Sequence, residues 1–468
     1  MRTSRILQTV LGVLGAGLLM ISGAPADAGV STVGATGAGD PFFPRQGNGG
    51  YRVEHYNLAI DYHPATHHLA GRARIVAHAT KLLTRFDLDL RRFMHVQSVQ
   101  VNGAPATFAQ PRAEVQELVI SPAAPVAQGQ PLVVTVLYAG TAHDIFDPDG
   151  SPDGFIVTRD GAMVANEPQG APTWFPVNDT PRDKATYRVQ VTVPRGLVAV
   201  SNGAFRGRTT SNGRTTWHWR MGTPISSYLV TATIGKFTVR QGTTTTGIPY
   251  FTAYDPAEQA AAMPVVHRLG AVLKFFSRKY GKYPYGWAGA IVEHARFVGY
   301  ALETATRPLF DRAPDALTFA HELAHQWFGD DVTLRHWRDI WLNEGFAEFS
   351  DWLWDEHRGG LTAHQHLRRL LSHPPSAKYE WLPAPAAPPD SVHIFANSVY
   401  ERGAGALQAL RQKLGSPMFF RILRGWLRAH RYSNASVPQF TAYAQQVSGR
   451  NLHHFFYEWL YRPAKPFS

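Results

Sequence analysis

The 468-residue sequence contains no cysteine. That excludes disulfide frameworks, iron–sulfur clusters, thiolate metal sites and cysteine nucleophiles. A bound metal would have to be held by His, Asp or Glu. Lysine is scarce, nine of the 46 Lys and Arg, and the Arg are scattered without a run of five like charges. That pattern argues against a basic interaction tail. No apolar stretch after residue 23 reaches the length of a membrane helix, and no nucleic-acid-binding motif is found. Charged residues make up only 17% against 44% hydrophobic, which excludes a globally disordered chain.

What is present begins with an address. Arg2 and Arg5 precede an uncharged, mostly apolar run over 6–23, and Ala26-Asp27-Ala28 is a small-residue cleavage site. Residues 1–28 read as a signal peptide cleaved after Ala28, giving a secreted product, extracellular or envelope-associated, with no transmembrane segment. The net charge of +11 leaves two readings open, a solvated basic surface and weak association with an anionic cell envelope. Residues 29–50, rich in Gly, Ala and Thr, read as a flexible leader.

From Tyr51 apolar residues alternate, as at Leu58, Ile60 and Tyr62, at Phe86, Leu88 and Leu90, and at Tyr187, Val189, Val191 and Val193. Period two marks half-buried strands. Asn102-Gly103 and Asn202-Gly203 are turn signals. Residues 51–240 are thus expected to form a β domain, and 241–468 a mostly helical one. Helical periods recur at 315–328, 340–356, 362–372, 400–414, 417–430, 437–447 and 451–461. A further helix is expected over 257–280, kinked at Pro264.

The sharpest feature is HELAH at 321–325. On a helix His321 and His325 lie one turn apart on one face and reach one ion. Glu322 stands beside them, placed to deprotonate a metal-activated water. Pro314 and Asp315 suit the helix start and Gly329 its end. Glu344, nineteen residues after His325, supplies a third ligand if its helix packs antiparallel to the first. His, His and Glu with an open fourth position is a hydrolytic zinc site, one ion per chain. Glu348, one turn on, is either a second carboxylate orienting a ligand imidazole or a solvated helix carboxylate.

The surroundings resemble the gluzincin, aminopeptidase N-like zinc aminopeptidases. HQWFGDDVT at 325–333 and DIWLNEGFAEF at 339–349 look like that family's stretch around its ligands. GYALETATRP at 299–308 resembles its exopeptidase signature, with Glu303 as the signature acid. VYERGAGAL at 399–407 resembles its tyrosine motif, with Tyr400 as the catalytic tyrosine. NEPQGAPTWFPVNDTPRDKATY at 166–187 resembles the segment that carries a second amine-binding acid, here Glu167. Departures are Tyr300 for the usual Gly, Thr304 and Asp330 for Asn, Ala165 for Gln, and Arg402 where Lys is commoner.

The resemblance implies an antiparallel β-sandwich or saddle followed by a thermolysin-like, mostly helical peptidase domain, in a short bacterial type without the large C-terminal helical domain. It implies a zinc aminopeptidase acting on peptides with a free N-terminus. Zinc would sit on His321, His325 and Glu344, with Glu322 as proton acceptor, Tyr400 as oxyanion donor, and Glu303 and Glu167 holding the terminal amine. The alternatives are a secreted zinc endopeptidase of thermolysin-like type and a non-catalytic envelope-binding protein on the same frame.

Overall fold

The computed structural model describes residues 31–467, so the expected signal sequence lies outside the described residues. The alternating runs form strands. Leu58, Ile60 and Tyr62 are all buried while their neighbours are not, the pattern of a strand with one face on the core. These strands build an eight-stranded sheet. Its order is Ala204–Ser211, Arg214–Ile225, Ala185–Pro194, Tyr51–His63, His68–Ala79, Pro131–Thr141, Met94–Val101 and Ala104–Pro105. Only Tyr51–His63 with Ala185–Pro194 is a parallel pair. Asn102-Gly103 turns as expected, both residues having positive φ. Asn202-Gly203 closes no hairpin. The strands on either side of it belong to different sheets, and Asn202 Nδ2 donates to Leu229 O and Ala305 O.

A second, five-stranded sheet includes Ala162–Ala165, Pro152–Val157 and Asp144–Phe146. Its last two strands form a hairpin whose tip reaches the cavity described below. The helical domain opens with a further five-stranded sheet, Thr238–Thr243, Pro249–Tyr254, Ala288–Val292, Leu309–Phe310 and Ala301–Leu302. The first of these strands straddles the boundary expected at 240/241.

The helices follow as α1 (Gln259–Val266), α2 (Leu269–Tyr280), α3 (Ala316–Ala324), α4 (Trp341–Arg358), α5 (Ala363–Ser372), α6 (Lys378–Trp381), α7 (Asn397–Leu414), α8 (Ser416–Ala429), α9 (Val437–Ser448) and α10 (His453–Phe456). The single kinked helix expected over 257–280 is two helices. Pro264 sits inside α1, and the break falls at His267-Arg268. One continuous core of buried side chains runs from the β domain through the helices. No helix among the described residues is long and apolar enough to cross a membrane.

The expected flexible leader is corrected by its packing. Asp40, Gln46 and Asn48 are buried. Asp40 Oδ2 accepts from Trp337 N at 2.8 Å, and Trp337 Nε1 donates to Gln46 Oε1 at 2.6 Å. Asn48 N donates to Asn178 Oδ1. Glycine-rich composition signals freedom only where no partner exists. Here the partners lie about 130 to 300 positions away in the sequence, and they satisfy buried polar groups of the segment.

Candidate metal centre

Helix α3 starts where the sequence places it. Asp315, in extended conformation, accepts from Leu317 N and Thr318 N and so satisfies two of the amides a helix start leaves free. The helix ends at Ala324, earlier than the period suggested. Gly329 serves a later turn instead, at φ +129°, where a Cβ would come within 3.2 Å of His325 Nδ1.

Helix α4 packs against α3 and brings Glu344 to the two histidines. Its carboxylate Oε2 lies 3.2 Å from His321 Nε2 and 3.3 Å from His325 Nε2. Ligand bonds of about 2.0–2.1 Å at tetrahedral angles require ligand atoms roughly 3.3–3.4 Å apart. The donor set and its spacing therefore fit zinc with one position open. The other ring nitrogens are fixed. His325 Nδ1 is 3.0 Å from Phe328 O, which can only accept, so Nδ1 carries a proton and Nε2 is the nitrogen that would bind a metal on losing its own.

The electrostatics agree. Burial would lower His325, but Glu303 and Glu344 carry it up to about 9. Burial would raise Glu344, but His325 and His321 hold it down to about 2. A dication takes the place of those imidazole protons, so its binding releases them.

Glu322 is buried next to the ligands, and burial pushes its carboxyl up to about 7 against the pull of His321 and His325. Tyr400 comes from α7, which crosses α4 at two glycines. A Cβ on Gly345 would lie 2.4 Å from the Trp341 ring, and one on Gly403 would lie 3.1 Å from Gly345 Cα. That close approach sets Tyr400, one turn before Gly403, beside the ligand face. Its ring is 6.0 Å from that of His321. Burial, reinforced by Glu344, Glu167, Glu303 and Glu322, raises its hydroxyl well above the usual range, so the phenol keeps its proton.

Glu303 and Glu167 arrive from different domains, and each extends one oxygen to within 4.8 Å of the other and of Glu344. Both are buried, and each has an Oε1 without a hydrogen-bond partner. Burial first, then Glu303 and Glu344, raises Glu167 well above its ordinary value. All seven sequence-derived site residues line one cavity of about 390 Å³.

The same two-part pattern is found by comparison with known families. Residues 52–229 match the Peptidase M1 N-terminal domain and residues 301–459 the Peptidase family M1 domain. The chain belongs to peptidase family M1. Aminopeptidase M1-D of Oryza sativa subsp. japonica is 29% identical over 337 residues, covering 66% of this chain and 38% of that protein. Aminopeptidase M1 of Arabidopsis thaliana is 29% identical over 336 residues, covering 65% and 37%. The chain thus spans less than half the length of these curated relatives. A solved two-domain M1 zinc metallopeptidase variant with L-tryptophan bound superimposes with a TM-score of 0.83 at 29% identity, covering 92% of this chain and all of that one. An M1 zinc metallopeptidase of Deinococcus radiodurans gives 0.82 at 29% identity over 91% and 97%.

Within this M1 site the sequence reading missed one residue. The carboxylate closest to His321 Nδ1 is Asp351 at 3.3 Å, and Glu348 is farther at 3.7 Å. Glu348 Oε1 instead accepts from Trp352 Nε1. Asp351 lies seven residues after Glu344, two turns on along the same face, so helical spacing carries its signal. Arg402 is buried and donates to the carbonyls of Trp381, Glu458, Trp459 and Arg462. It ties the C-terminal turn to α7.

Proposed function

We propose that the chain is a zinc metallo-aminopeptidase that removes N-terminal residues from peptides. The observation that carries this reading is the pair Glu167 and Glu303. Two buried, partly unpartnered carboxylates stand in the same cavity as the three-ligand cluster. Leaving them so costs free energy unless a cation joins them, and a peptide's terminal ammonium supplies both charge and donors. A chain without a free amine supplies neither, which disfavours the endopeptidase alternative. Among solved relatives, the Deinococcus radiodurans variant with bound Tyr-Ser-Ala supports a peptide ligand.

His321, His325 and Glu344 would hold the zinc. When bound, it polarises the scissile carbonyl and makes a water acidic near neutral pH. Glu322 receives the proton of that water and returns it to the leaving nitrogen. The Tyr400 hydroxyl donates to the developing oxyanion, an interaction worth about 3–4 kcal/mol. Glu303 and Glu167 fix the amine, so the bond presented for cleavage is the first one. Cleavage of a signal peptide near Ala28 would deliver the enzyme outside the cell, and the division at about 240 would separate a β domain from the catalytic one.

The test is a panel of aminoacyl and peptide reporters, free and N-acetylated, assayed before and after chelation. We expect chelator-sensitive hydrolysis of the free forms only. Equal rates on the acetylated forms overturn the reading.

A further inference from the structure

Five carboxylates line the cavity: Asp149, Glu167, Glu303, Glu322 and Glu344. No Lys or Arg is among its lining residues. The proposed reaction employs four of the five, leaving Asp149.

Asp149 sits at the tip of the hairpin made by Asp144–Phe146 and Pro152–Val157. The tip is a defined turn. Asp147 N donates to Ser151 O and Gly150 N to Asp147 O, both at 2.9 Å, and Gly150 takes φ +89°, a conformation favouring glycine. Asp149 Oδ1 accepts from Ser151 N at 2.9 Å and from its Oγ at 2.6 Å. Among the described residues no group donates to Oδ2, and no Arg, Lys or His pairs with this carboxylate. The hairpin is fixed to the catalytic domain, because the Tyr300 hydroxyl donates to Pro152 O at 2.6 Å. The lining that contains Asp149 and the candidate metal ligands also includes Val298, Leu302 and Phe395. Apolar walls with a carboxylate at the mouth complement a side chain with an apolar stem and a cationic head.

We propose that Asp149 is a specificity-determining residue that selects peptides whose first residue is Arg or Lys. The inference rests on the aminopeptidase reading. The α-ammonium engages Glu167 and Glu303, and the side-chain cation engages the free oxygen of Asp149. An acidic first residue finds no Lys or Arg among the lining residues and meets the like charge of Asp149.

The zinc-loaded protein is assayed on Arg, Lys, Leu, Ala and Glu reporters at low and high salt. Asp149 is exposed, so the expected kcat/KM ratio of Arg to Leu is about three- to fivefold, the scale of an exposed ion pair, and it shrinks as salt rises. Asp149→Ser, which keeps an acceptor for the turn, brings the ratio towards one, and Asp149→Lys reverses the order of Arg and Glu. A wild-type ratio at or below one, a Glu reporter as the fastest, or a ratio that survives in Asp149→Ser overturns the proposal. Should a variant fail to fold, the wild-type ratio and its salt dependence decide. Loss of every chelator-sensitive activity on free amines would sink the aminopeptidase reading itself. Cleavage of Leu and Ala with Arg no faster would sink only the role of Asp149.

Discussion

The two ends of the cavity are built from the same residue type and behave oppositely. At the metal end Glu344 is held down to about 2 by two histidines, and both imidazoles have fixed outer partners in Asp351 and Phe328 O. At the amine end burial raises Glu167 and Glu303, no Lys or Arg lines the cavity beside them, and each leaves an oxygen without a partner. The metal end is pre-organised by side chains on adjacent helices. On the proposed reading, the amine end is an unfinished ion cluster that an ammonium group completes. A buried carboxylate is informative through its partners, not through its burial.

Breaking the metal end has the largest expected effect. Glu322→Gln should lower kcat by about 10³-fold while zinc content by elemental analysis stays at one per chain. A rate within tenfold of wild type would remove Glu322 from the proton path.

Breaking the amine end comes next. Glu303→Gln should lower kcat/KM on free-amine substrates by about a hundredfold, the scale of deleting one partner of a buried charge pair. The remaining rate should discriminate less between free and acetylated peptides. Steady-state kinetics on matched pairs checks this, and unchanged discrimination would move the amine site elsewhere.

The outer shell sharpens the contrast. Asp351→Ala frees His321 Nδ1 and should weaken zinc affinity by roughly 10- to 100-fold, read by competition with a chelating dye. The same substitution at Glu348 should have the smaller effect, since its carboxylate is the more distant one.

A last effect, on stability and not on catalysis, lies outside the cavity. Burial pushes Glu293 up to about 8, above its unfolded value of 4.5. Its folded protonated form therefore stabilises fully below about pH 4.5, and that contribution is lost as pH rises through about 8. Glu293→Gln should match wild type near pH 4.5 and gain stability towards pH 8, by up to about 1.4 kcal/mol per pH unit. Thermal unfolding across that range measures the divergence, and parallel curves would contradict the shift.

Much of this centre is legible in the amino-acid sequence. HELAH, its Asp315 cap and Glu344 are local facts, because helical spacing fixes the direction of a side chain about its axis. The β domain was legible for the same reason, since period-two burial at Leu58, Ile60 and Tyr62 follows from the pleat. Spacing also carried Asp351, but a choice between Asp351 and Glu348 needs the angle at which α3 meets α4. The leader was misread because composition reports on chain freedom and not on distant partners such as Trp337.

By itself, the sequence determined which residues could bind a metal, since with no cysteine the ligands had to be His and carboxylate at helical spacing. Only the tertiary structure decided which carboxylates share a cavity. Asp149 stands in a hairpin turn of one sheet and Glu167 two residues past another strand of the same sheet, and Glu303 belongs to the other domain. Tyr400 depends on the Gly345–Gly403 crossing. Those meetings are set by packing between elements far apart in the chain, which no local period encodes.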